Sequence, residues 1–196
     1  MLTNKELNLS GWMSVLSAVV TVPLIAFGFY LGMLEEETTV MRLIEFGLSA
    51  LYTVLFVYVS LKFRKLLNQH ANFHDVDIYI LLLIWINIVF IAISIIPIFY
   101  SEISAIIDII TVIAFLPMGI ILIMFGIKLL NCKAEFSPKL KYFAIFTIIT
   151  GVFVGSIILI IFSFITSIVT DIILAAIFFS ELDRDRIEKE GYGVIN

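Results

Sequence analysis

Soft metal ligands are nearly absent from this 196-residue chain: it holds one cysteine, Cys132, and two histidines, His70 and His74. A lone cysteine excludes an internal disulfide and a thiolate metal cluster. Charge is also scarce. Only 14% of residues are charged, where a soluble domain carries about 25%, and 62% are hydrophobic. No Gly-x-Ser-x-Gly nucleophile setting and no glycine-rich phosphate loop occurs. The basic stretches are short and lack interleaved aromatics, which argues against nucleic acid as a partner. The chain is therefore read as a non-enzyme that carries no cofactor.

What remains is apolar sequence in quantity, with a mean hydropathy of +1.15. A chain of this composition cannot cover itself with polar surface, so lipid is the expected solvent. Lipid admits only helices or closed barrels. Runs such as 78–100 lack the apolar/polar alternation of barrel strands. The fold class is accordingly all-α: a polytopic integral membrane helix bundle forming one domain over 1–196.

Six spans are expected, over approximately 11–34, 39–61, 78–100, 103–127, 142–162 and 165–181, most of them near the ~20 residues that a bilayer requires. The last two come from one apolar run. As a single helix, 142–180 would be roughly 58 Å long, about twice the hydrocarbon thickness. A turn near Ser163–Ser167 is expected to divide it, with Ser163, Thr166 and Ser167 available as caps. Glu35, Glu36 and Glu37 follow the first span in place of a small-residue cleavage site, so that span is read as a true helix.

Basic residues fall between spans two and three (Lys62, Arg64, Lys65), around the loop between spans four and five (Lys128, Lys133, Lys139, Lys141) and in the tail (Arg184, Arg186, Lys189). The positive-inside rule then places both termini in the cytoplasm of a cell-membrane protein. These basic loops suit anionic inner-leaflet lipid.

An internal repeat runs through the chain at a spacing of 63 residues, with no gap needed. Lys65-Leu66-Leu67-Asn68 falls on Lys128-Leu129-Leu130-Asn131, Phe90 on Phe153, and Ser104 and Asp108 on Ser167 and Asp171. A more diverged first copy places Phe27 with Phe90, and Glu45 with Asp108. A period this long is a supersecondary unit. The expected architecture is three parallel helical hairpins, approximately 1–62, 63–127 and 128–182, with a short charged tail over 183–196.

The repeat sets one carboxylate, Glu45, Asp108 or Asp171, near the start of each even-numbered span. Acidic groups within spans are costly and mark ion or proton paths by default. A favourable interaction with the helix dipole, roughly 0.3–1 kcal/mol, is the competing structural explanation, and Arg42 stands three residues from Glu45 on the same helix face. His70 and His74 would share a helix face as a weak metal candidate, but a solvated loop explains them better. Gly28-x3-Gly32 and Gly151-x3-Gly155 mark close helix approach, and mid-span Asn87 an interhelical hydrogen bond. Pro23 and Pro117 should kink their helices, and Trp12 should anchor at an interface.

The functional expectation is a small channel or transport-type protein, its carboxylates near an outer entrance able to attract cations or carry protons. The alternative is a non-catalytic scaffold, assembly or effector subunit acting through protein–protein contacts. The partners are the bilayer and either a second copy, as a homo-oligomer, or a membrane subunit.

Overall fold

The structure, a computed structural model, describes residues 2–34, 38–132, 138–156 and 158–193, with backbone alone for 101, 105, 108, 138, 185 and 188–193. Glu35, Glu36, Glu37 and Lys133 lie outside the described residues, as do the side chains of Asp108 and Lys189.

The described chain is all-α. Its elements are α1 (Asn4–Gly32), α2 (Thr39–His70), α3 (Asp77–Ser94), the four-residue α4 (Ile96–Phe99), a 3-10 turn (Ser101–Ile103), α5 (Ser104–Leu130), α6 (Pro138–Gly155) and α7 (Ile160–Gly193). By length and composition, five segments are long and apolar enough to cross a membrane: α1, α2, α3 together with α4, most of α5, and the first part of α7. Large apolar side chains such as Val19, Val54, Trp85, Ile113 and Ile165 point outward from the bundle. That surface suits lipid.

Local chemistry sets the helix ends. α1 begins seven residues earlier than hydropathy suggests, because Thr3 and Glu6 form a capping box: Thr3 Oγ1 accepts from the Glu6 N–H at 3.2 Å, and the Thr3 N–H donates to Glu6 Oε2 at 2.9 Å. Thr38 caps α2 in the same way through the Met41 N–H. α3 ends at Ser94, where Pro97 has no N–H to continue the hydrogen-bond ladder. Pro23 and Pro117 lie inside α1 and α5.

The division of the final apolar run differs from expectation. Helix α6 ends at Gly155 and α7 starts at Ile160, so the turn falls at 156–159 rather than at Ser163–Ser167. Gly155 weakens the helix there, and Ser156 Oγ accepts from the Leu159 N–H at 3.1 Å. Ser163, Thr166 and Thr170 are instead interior to α7 and donate back to carbonyls of their own helix. At its other end α7 continues as helix through the charged stretch read as a tail.

Neighbours in the bundle run antiparallel and in chain order. Glu6 meets Lys62 across α1 and α2, Arg64 meets Asp77 across α2 and α3, Phe125 meets Phe143 across α5 and α6, and Thr150 meets Thr166 across α6 and α7. Helix α1 also packs on α7, with Gly11 directly against the Phe179 ring, and this closes α1, α2, α3, α5, α6 and α7 into a ring. The α5–α6 contact is the most intimate: a Cβ at Gly119 would come within 2.6 Å of the Gly151 carbonyl oxygen. Gly151 thus makes the close approach read from its spacing, and Gly155 lies beside Gly119. Gly28 and Gly32 do not: nothing lies within 4 Å of a Cβ built at either.

Packing is polarised along the bundle axis. The buried apolar cluster gathers Leu7, Phe63, Leu66, Leu129, Leu140 and Phe178 at the end where α1 begins and α7 finishes, here called the terminal end. The ion pairs Lys62–Glu6 (2.7 Å) and Arg64–Asp77 (2.9 Å) rim the same end, and Asn68 also donates to Asp77. Among the described residues, the opposite, loop end holds fewer buried side chains, Leu31 and Ile107 among them.

The sequence repeat does not reappear as a common register of cross-helix pairs. Phe90 and Phe115 meet edge to face at 5.8 Å between α3 and α5. Sixty-three residues on, Phe153 meets Phe162 instead, and Phe178 is buried in the terminal-end core. The early turn at 156–159 slides α7 along α6 and accounts for the change of partner.

Candidate functional site

A ring whose opposite helices stand apart leaves space along its axis. Two chambers occupy it. A central cavity of 260 Å³ is lined from all six ring helices, and a loop-end chamber of 680 Å³ lies among α1, α2, α3, α4 and α5. Leu24, Tyr52, Asn87, Phe90 and Phe115 line both, so they form the collar between them.

The central cavity has a floor of aromatic rings. Phe63 on α2 and Phe143 on α6 meet with centroids 5.0 Å apart, and Phe125 on α5 packs edge-on to Phe143 at 6.4 Å. Above the floor the wall mixes apolar groups with hydroxyls, among them Ser17, Thr21, Thr147, Thr150, Ser167 and Thr170. Most of these satisfy themselves locally: Thr21 donates to the Ser17 carbonyl at 2.9 Å, Thr147 to Phe143 at 2.8 Å and Thr170 to Thr166 at 2.7 Å. Thr150 and Thr166 also join their hydroxyls across α6 and α7 at 2.8 Å.

Among the described side chains, Asp171 on α7 is the one charged residue in that wall. Ser17 faces it from α1, and Tyr52 stands close to it and to Ser167. Its Oδ2 is buried without a hydrogen-bond partner. An unpaired buried carboxylate oxygen is costly, and here no basic side chain lines the cavity to offset it.

The other carboxylates expected at the site are placed differently. Glu45 lines the loop-end chamber with Arg42, whose guanidinium donates to the Pro97 carbonyl at 2.6 Å. Glu45 and Asp171 therefore occupy separate chambers joined at the collar. Asp108 lies in α5, and its side chain is outside the described set.

Asn87 corrects the expectation of an interhelical bond. Its amide donates to Leu83 of its own helix at 2.8 Å, and the residue faces both chambers. His70 and His74 also part company. His70 closes α2 and lies 3.5 Å from Glu181 of α7, while His74 lies beyond the helix, 3.5 Å from Asp77. No group of three or more metal-ligating side chains occurs among the described residues. Trp12 is exposed near the start of α1, its ring 5.7 Å from Phe179.

Sequence reasoning passed over Ser17, Tyr52 and the hydroxyls around them. A signal was present: Ser10, Ser14, Ser17 and Thr21 recur every three or four residues and form one buried stripe on α1. No protein-family model, curated protein or solved structure matches the chain.

Proposed function

We propose that the chain is a six-span membrane protein of channel or transport type, in which α6 is the fifth span, α7 the sixth, and Asp171 carries the transported cation or proton. The six spans form three sequence-related helix pairs, with the terminal end in the cytoplasm. One observation carries the reading: a carboxylate with an unpartnered buried oxygen borders an axial cavity that contains no basic group. A purely structural acid is normally paired or fully hydrogen-bonded. Asp171 is neither, so it is suited to a mobile positive partner. The loop-end chamber, with Glu45 in its wall, supports the same reading as the approach to that site.

The test is flux in proteoliposomes under an imposed gradient, read for protons and for small cations. Wild-type protein gives flux, and Asp171→Asn reduces it to the level of empty liposomes while keeping its circular dichroism and thermal midpoint. Undiminished flux in the folded variant, or no flux from wild type, overturns the assignment.

A further inference from the structure

The central cavity combines three properties that narrow its ligand. Among the described side chains, it has one negative group, Asp171, and no Lys, Arg or His in its wall. Eight aromatic rings line it, Tyr52 and Phe164 among them. Its volume, 260 Å³, lies just below the roughly 300–1,000 Å³ typical of small-molecule pockets. We infer that this cavity binds a small hydrophobic monocation, an amine or quaternary ammonium with an aromatic or aliphatic body, with Asp171 as its counter-charge. The inference deepens the transport reading by naming the substrate class of the same site.

Competing ligand classes fit less well. An anion would meet a carboxylate with no positive group to oppose it. A neutral apolar molecule would fill the space and leave the buried Asp171 oxygen uncompensated. A bare divalent ion asks for about six or more oxygen ligands. Only one carboxylate lines it among the described side chains, and hydroxyls such as Thr147 and Thr170 already bond their own helix carbonyls. A hydrophobic cation asks for less. Its charge is met by one carboxylate, a quaternary ammonium has no N–H hydration to give up on entering, and aromatic faces attract the cationic head by about 0.5–2 kcal/mol per favourable contact. Tyr52 is one ring placed for this, since it lines the same cavity as Asp171 within electrostatic range of it.

Benzyltrimethylammonium is the probe, with benzenesulfonate as an anion and benzyl alcohol as a neutral molecule of similar size. Each is titrated calorimetrically into the full chain in lipid nanodiscs, with empty nanodiscs subtracted. The expected result is saturable binding of the cation alone, weakened on the order of tenfold or more in Asp171→Asn, as for loss of a charge-assisted contact. Tyr52→Leu weakens it about threefold or more, and Tyr52→Phe restores most of it. Tyr52→Leu also serves if Asp171→Asn does not fold.

Equal affinity for the anion or the neutral probe, unchanged binding in folded Asp171→Asn, or no saturable binding of the cation overturns the inference. Asp171-dependent proton flux without cation binding overturns it too, but leaves the transport reading standing. Cation binding without any flux does the reverse.

Discussion

Phe63 and Phe143 meet face to flank, ring centroids 5.0 Å apart, although they belong to helices that are not neighbours in the ring. Their contact spans the axis and stops the central cavity at the terminal end. Replacing both with alanine removes the barrier and two large buried contacts. Each truncation should cost about 3 kcal/mol or more, read as a lower thermal midpoint in detergent. In proteoliposomes the double variant should leak solutes that wild type retains. An unchanged leak rate would show that the floor lies elsewhere.

Glycine substitutions separate packed from unpacked helix faces. Alanine at Gly119 or Gly151 would push a Cβ to 2.6–2.8 Å from the facing backbone. Both variants should lose about 1–3 kcal/mol from overpacking. Alanine at Gly28 or Gly32 meets open space, so only the intrinsic helix preference of up to about 1 kcal/mol acts, in the stabilising direction. Thermal unfolding of the four single variants checks the order.

The Thr150–Thr166 hydroxyl bond, 2.8 Å between α6 and α7, invites a smaller perturbation. Thr166→Val keeps the shape and removes the acceptor of the Thr150 hydroxyl. The loss should be about 0.6 kcal/mol, the average for interhelical hydrogen bonds within membranes. A loss several times larger would mean that the hydroxyl network acts as a unit, which a double-mutant cycle with Thr150→Val resolves.

Orientation has a direct chemical test. Cys132 is the one thiol and follows the last residues of α5 at the terminal end. In intact cells a membrane-impermeant maleimide should leave it unlabelled, and lysis should expose it. Labelling from outside would invert the topology.

The sequence announced the membrane character and most helix positions, because long apolar runs have few alternatives to helix. It misplaced boundaries where short-range chemistry prevails over hydropathy, as at the Thr3–Glu6 box and the Gly155–Ser156 break. Asp171 stood out as an intramembrane acid. Its separation from Glu45 did not, since depth around a ring of tilted helices depends on contacts that a linear repeat cannot encode. Asn87 was legible as unusual but not as self-satisfied. Tyr52 carried no signal of its own: a tyrosine in an apolar run reads as core until two chambers are seen to share it.

Concentrating the apolar packing at one end gives the bundle a fixed base and a free rim. A helix of 29 residues such as α1 is about 44 Å long, so a 5° tilt about that base displaces its far tip by about 4 Å. A Cβ added at Gly28 or Gly32 near that tip would meet nothing within 4 Å, while Leu31 between them is buried. A swing of that size would have to uncover Leu31 at the rim while leaving the aromatic base packed.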